Sequence, residues 1–536
     1  MRRIALVWLT VLLVAPTAAH ATVLKSNIPG AHYKANPPAQ TEITRVKSRI
    51  DLNNLQGAMD AAKMAIHRDS LSAEVYDVFG TLALRLGRYR VARDAFEQAA
   101  ALAPEQAPIW NRLAQVSLLQ LGLEEQGLLA LRYAFAADSS FATPYYTEFM
   151  YHWARGEFDE ARASIQHARD IEVDESKSLL WYSAQLGFDL TQGDYASSER
   201  ALAIHLGQVA NDITARQLMV QAQRGSGNHK GADETIHMLL AVDPGQPQWL
   251  SDAGLIKRAL GDRDSALTFF KLAVRADSGS FDAGYNLSLE LLARKDTTAA
   301  LRELRRLRKL DPNNWLVPLL ASRIGRAQGD TARADLAFEE ARRLNPAMGL
   351  SRAARVGAAQ AVPTWSSPEL EAAEDLMEKG EFALAGDKLY QAARDKDRKG
   401  AALYWLSRVT RISGGTGLPV ITAQAASEAT NGDPVVLRAL AEAQFGVGDA
   451  PRALGNLQNL LKGAPDDLAA TAFEAEVKFA IGDVAGARNV FNSLPGDPTR
   501  SYRLEAIRAA VFAASKDAGA AIARQRAAAV DYLPGT

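Results

Sequence analysis

Apolar residues in this chain recur at helical spacing on both sides of regularly placed turn residues, the pattern of paired antiparallel amphipathic helices. The pairs keep a period. Ala58 and Ala92 stand 34 residues apart, as do successive members of Ala232, Ala266, Ala300 and Ala334, and of Ala453, Ala487 and Ala521. Four residues after most of these alanines comes a bulky apolar side chain: Phe96, Ile236, Phe270, Leu304, Phe338, Leu457 or Phe491. Five residues before most of them comes a glycine: Gly87, Gly227, Gly261, Gly329, Gly448 or Gly482. Several are followed, twelve residues on, by a proline: Pro104, Pro244, Pro312, Pro346 or Pro465.

Each landmark has a physical task. Glycine between two helices takes the positive φ that a helix end commonly needs. The alanine lets the second helix approach its neighbour, and the bulky residue one turn later fills the space between adjacent pairs. Proline ends the second helix and starts the next pair. Four landmarks in one register predict a solenoid in which each pair packs only on its neighbours.

One repeat carries Tyr76, Phe79-Gly80, Gly87, Tyr89, Ala92, Phe96, Ala99 and Pro104, and by these residues the chain resembles the tetratricopeptide repeat. The resemblance runs over residues 39–348 and 366–534. It implies an all-α fold, an α-solenoid of tandem helix pairs in two stacked arrays. Individual repeats depart from the pattern: Gly127, Ser198 and Pro419 replace the alanine, and Lys295 replaces the turn glycine. The register predicts a first array of about nine repeats over 39–348, after an extension over 22–38. A capping helix and linker follow at 349–367, the helix over Leu350–Ala361 and the linker over Val362–Pro368. A second array of about five repeats takes 368–536, and its Ala-rich end, Tyr502 to Val530, reads as a capping helix.

The N-terminus breaks the pattern. Arg2 and Arg3 precede an apolar stretch from Ile4 to Ala15, Pro16 interrupts it, and Ala19-His20-Ala21 offers a small–x–small cleavage site. The stretch is shorter than the ~20 residues needed to span a bilayer. It predicts a signal peptide over 1–21, cleavage near Ala21, and a periplasmic or secreted product with no transmembrane segment. The chain has 536 residues, a net charge of −1 and no cysteine. That charge gives no global attraction to nucleic acid. The missing cysteines remove disulfides, thiol nucleophiles, thiolate metal sites and a lipid-attachment cysteine.

Sites for chemistry are not evident. The glycines of Gly225–Gly231 sit at an inter-helix turn with no strand before them, unlike a phosphate loop. Asp170-Ile171-Glu172-Val173-Asp174 alternates carboxylates as a calcium loop does, but continues with Glu175 where glycine belongs and Trp181 where glutamate belongs. No HExxH or GxSxG occurs. The basic run Arg302, Arg305, Arg306, Arg308 and Lys309 falls on the second helix of its repeat and reads chiefly as solvated surface. No catalytic, cofactor or metal residue is expected, and no enzyme.

The resemblance implies that the first helix of each repeat lines a concave groove through positions five, nine and twelve, which share one helical face. The family's lysine–asparagine carboxylate clamp is absent, since position five never carries lysine in the first array. The candidate groove residues are Tyr146, Met150 and Trp153, then Gln217, Gln221, Arg224, Arg258, Arg323 and Arg326. The second array puts Glu374, Glu442 and Glu476 at position nine. An aromatic patch followed by an arginine row suits an extended segment with an apolar anchor and anionic groups. The function expected is a non-catalytic periplasmic scaffold with protein partners in its concave grooves, serving assembly of an envelope machine for secretion, pili or polysaccharide export. The alternatives are a binder of anionic polysaccharide in an export complex and, further off, an enzyme.

Overall fold

The computed structural model describes residues 25–173, 175–350, 365–493, 502–517 and 519–533, the side chains of 175–180 excepted. Among the described residues there are 28 α-helices and no β-strand, in successive antiparallel pairs. The expected signal peptide lies outside them. No described helix is long and apolar enough to cross a membrane.

The chain forms two compact units. The smaller takes the described residues up to 112 together with 130–141. In it Pro37–Asp51 pairs with Leu55–Arg68, and Ala73–Arg85 pairs with Tyr89–Leu102. The larger comprises 113–129 and the described residues from 142 onward, with the helices from Thr143 on.

The period is visible in the packing. Phe96 and Phe270 are fully buried, each lying against a glycine of its own repeat. A Cβ on Gly80 would stand 2.8 Å from the Phe96 ring, and one on Gly254 only 2.6 Å from the Phe270 ring. A further landmark follows the turn glycine. Asn228, Asp262, Asp296 and Asp330 begin the second helices, and their side chains accept from the amides of Gly231, Ser265, Ala299 and Arg333 at 3.0–3.1 Å. Such caps contribute about 1 kcal/mol each.

Two lysines take the left-handed turn position. Lys295 has φ 62° and Lys516 φ 56°, where Gly261 and Gly482 of the preceding repeats have 83° and 87°. Lys516 also corrects an expectation: Tyr502 to Val530 is not one capping helix but a further pair, Tyr502–Ala514 and Gly519–Ala529. Uniform alanine content hid the turn, because the residue making it is not glycine.

The expected capping helix, but for Leu350, and linker residues 362–364 fall at 351–364, outside the described residues. On either side of that segment the core is continuous. Trp315, Leu320 and Ile324 share one buried cluster with Trp365, Leu370, Met377, Tyr404 and Trp405. Repeats before and after the break therefore bury apolar surface against each other and not only against their sequence neighbours.

Candidate functional site

Arg224, on helix Ile213–Ser226, has a side chain only 5% exposed. It donates to Asp252 at 2.7 Å and forms an ion pair with Glu381. Arg258 donates to the other Glu381 oxygen at 3.1 Å, to the Lys379 carbonyl at 2.7 Å and to Asn286 at 2.9 Å. Arg323 pairs with Glu378. Tyr285 donates to the Glu378 carbonyl at 3.1 Å, and Asn286 to that of Gly380 at 3.0 Å. Apart from those to Asp252 and Asn286, these contacts all end on residues 378–381, where helix Pro368–Glu378 turns into helix Phe382–Ala392. Burial pushes the Glu381 carboxyl up, but Arg224 and Arg258 outweigh it and hold the group below the usual range.

Arg224 and Arg258 therefore do not face an open groove, whereas Arg323 and Arg326 line a cleft of about 460 Å³ beside Phe338 and Glu374. The chain's own helix pair 368–392 covers Arg224 and Arg258. Gln221 follows the same rule, donating to both oxygens of Asp387 at 2.9 and 3.0 Å, while Tyr195 donates to Asp387 at 3.1 Å. Trp153 packs its ring 5.5 Å from Tyr390 and 5.3 Å from Phe149. Tyr146 lies 4.9 Å from Trp181, and Met150 packs against the same cluster. Farther along, the Gly417 amide donates to the Leu119 carbonyl at 3.2 Å, an approach only glycine permits: a Cβ on Gly417 would stand 2.6 Å from the Leu118 carbonyl oxygen. Arg155 adds charge to this seam, reaching Glu124, Glu157 and Glu428 at 2.6–2.9 Å. Of the nine candidates, Gln217 is exposed, and so is Arg326, whose nearest carboxylate is Asp335 at 4.0 Å.

The embrace is reciprocal. Arg408 and Arg438 lie at positions nine and five of second-array repeats, and both reach the Leu344 carbonyl, at 3.5 and 3.4 Å. Leu344 ends helix Thr331–Leu344, so two cations meet the negative end of a helix dipole. Tyr404 donates to Asn345 at 2.7 Å, and Arg411 to Asp311 at 2.8 Å. The basic run is also partly used: Arg308 pairs with Asp531 at 2.6 Å and lies over the rings of Tyr502 and Tyr532. Arg408, Arg411 and Arg438 were not among the sequence candidates. The repeat register reaches them: Arg411 holds position twelve, as Arg224 and Arg258 do, and Arg408 and Arg438 hold the groove positions nine and five.

A concave region lined by residues of both arrays is not filled. A cleft of about 590 Å³ lies between the segment 310–313, the loop 413–416 and helix Pro434–Gly446. A smaller cavity of about 150 Å³ adjoins it, and Asn313, Glu442, Glu476 and Arg503 line both. Leu310, Ile412, Pro419 and Phe445 give the cleft apolar surface. Its carboxylates are Asp277, Asp282, Asp311, Glu442 and Glu476; its cations are Arg411 and Arg503. Arg411 is paired to Asp311 and Arg503 to Glu476.

Ser183, His205 and Asp212 meet in the core, but both Ser183 Oγ and His205 Nε2 turn to the same Asp212 oxygen, at 2.6 and 2.8 Å. A nucleophile relay would place serine and acid on opposite ring nitrogens. Here Asp212 caps helix Ile213–Ser226, and serine and histidine are less than 2% exposed. Among the described residues no three His, Asp or Glu side chains converge as metal ligands.

The family model of the tetratricopeptide repeat matches residues 78–140 and 438–501, in phase with the helix pairs of both arrays. The chain carries tetratricopeptide repeats. Solved structures similar to it include a tetratricopeptide repeat protein from Parabacteroides merdae, 16% identical over 48% of this chain and all of that one, with a TM-score of 0.39. The Cut9-Hcn1 hetero-tetramer of the APC/C is 13% identical over 82% of this chain and 84% of its own, with a TM-score of 0.40. Yeast Tom70 is 15% identical over 82% and 96% of the two chains, with a TM-score of 0.27. No curated protein matches the sequence. The tetratricopeptide-repeat architecture is that of a scaffold for protein–protein contacts.

Proposed function

We propose that this protein of tetratricopeptide repeats is a non-catalytic scaffold of the cell envelope that holds an extended segment of a partner protein in the cleft between residues 246–313 of its first array and 411–503 of its second. The observation carrying this reading is the cleft itself, about 590 Å³ in volume, which the chain leaves open while residues 368–392 cover Arg224 and Arg258 of the first groove. Apolar surface beside hydrogen-bonding and charged groups suits a peptide, which brings both. The leader pattern in residues 1–21 supports export, and exported repeat scaffolds commonly serve assembly machines, whether for secretion, pili or polysaccharide.

The polysaccharide alternative drew on the arginine row. Arg224, Arg258 and Arg323 are held by Glu381 and Glu378, so that reading loses its principal cations.

Two measurements test the proposal. Fractionation of cells expressing the full chain is expected to give a species beginning near Thr22 outside the inner membrane; an uncleaved cytoplasmic species overturns the export part. A photo-crosslinking residue at Phe445, in the cleft, is expected to capture a defined partner, and one at Ile204, 67% exposed on helix Tyr195–Gln208, is not. Capture from Ile204 alone overturns the choice of site.

A further inference from the structure

The cleft has unequal charge. Five carboxylates face two guanidinium groups, and both guanidiniums are already engaged by carboxylates of the same wall. Burial and the neighbouring Asp252 push Asp282 up to about 7; without it four acids of the cleft's own lining remain against those two arginines, with Arg408 and Arg438 standing behind Glu442.

Two polar groups show what is missing. Glu442, its side chain 7% exposed, makes no hydrogen bond; its ion partners Arg408 and Arg438 stand at 3.5 and 3.9 Å, beyond normal hydrogen-bond length. Glu476, one full repeat later, gives one oxygen to Arg503 while its Oε2 is buried without a donor. Both carboxylates occupy position nine of adjacent repeats, so the solenoid places them along one wall. A buried acceptor left without a donor costs about 1–3 kcal/mol, more when charged, and a ligand that supplies donors recovers it. Nε of Arg438, a side chain 4% exposed that lines the smaller cavity, and Nε of Arg503 are buried donors without acceptors.

We infer that the cleft binds a basic segment of its partner, an extended stretch in which a lysine or arginine seats between Glu442 and Glu476 while an apolar neighbour packs on Phe445 and Ile412. Backbone carbonyls of the same segment meet Nε of Arg438 and Arg503. A peptide supplies both kinds of group at once. An anionic polymer brings acceptors to a wall of carboxylates and is repelled. The inference rests on the reading of this cleft as the binding site and adds the chemistry of its occupant.

The test uses the full chain and fluorescein-labelled peptides of one length, alternating lysine with leucine or glutamate with leucine, together with a labelled polyuronate. Fluorescence anisotropy is expected to show the lysine peptide binding at least about tenfold more tightly than the glutamate peptide, with affinity falling as salt rises. Glu476→Gln is expected to narrow that gap several-fold without changing helicity. Because Glu442 also touches two buried arginines, Glu442→Gln is read only alongside its thermal melt, and the exposed Asp277→Asn supplies a second surface variant. Equal binding of the two peptides, failure of both, preference for the polyuronate, or a gap unmoved by Glu476→Gln overturns the inference. Specific crosslinking at Phe445 alongside any of these results leaves the scaffold reading standing and removes only the basic occupant.

Discussion

Arg224 and Glu381, 157 positions apart in sequence, form a buried ion pair that joins the first array's groove to the turn opening the second. Arg224 is 95% buried and Glu381 82% buried, and Arg258 shares the same carboxylate. The sequence alone assigned this arginine to an exposed wall, where charge reversal would leave stability nearly unchanged. The structure predicts the opposite. Removing one partner of a buried pair leaves an uncompensated charge and costs about 3–5 kcal/mol. Arg224→Ala is expected to lower the urea midpoint strongly and Arg224→Glu more so, while Arg326→Glu, on an exposed residue of the same row, stays within about 0.5 kcal/mol of the parent. A double-mutant cycle between Arg224→Ala and Glu381→Gln is expected to show clear coupling.

Asp387 gives a pH dependence. Burial pushes its carboxyl up to about 7, against the opposing effect of hydrogen bonds from Gln221 and Tyr195. A carboxyl whose folded pKa exceeds its unfolded one binds its proton more tightly when folded. Its contribution to stability is therefore greatest below the unfolded value, near 4, and is lost as pH rises to about 7. Urea unfolding at pH 5, 6 and 8 is expected to show Asp387→Asn gaining stability relative to the parent as pH rises, because the amide carries no charge to bury. An unchanged difference across that range contradicts the assignment.

Lys295 holds φ 62° at the position where other repeats place glycine. The left-handed conformation costs a non-glycine residue roughly 1–2 kcal/mol, part of which glycine gives back as unfolded-state entropy. Lys295→Gly is expected to raise stability by up to about 1 kcal/mol in denaturant titration, whereas Gly261→Lys lowers it.

Gly254 faces the opposite constraint. Its missing Cβ would stand 2.6 Å from a fully buried ring, so Gly254→Ala overpacks the repeat. A loss of about 1–3 kcal/mol is expected. Gly254→Ala combined with Phe270→Leu is expected to recover part of it, which a purely conformational effect at residue 254 does not allow.

Periodic positions such as Ala232, Phe270 and Gly329 determined the repeat, the helix pairing and the all-α class by themselves, because each acts on a neighbour within one or two helices. Local interactions of that kind leave a period in the sequence. The same register reached Arg224, Arg258 and Gln221 as groove residues, and it held Arg438 and Glu442 at equivalent positions in the second array. What those groups meet was decided by the tertiary structure alone. An arginine on a groove wall carries the same sequence signal whether it faces water, a foreign peptide or Glu381 of its own chain. The covering of Arg224 and Arg258 by residues 368–392, and the cleft left beside Glu442 and Glu476, depend on contacts between segments far apart in sequence. No local period records such contacts, because each is made once.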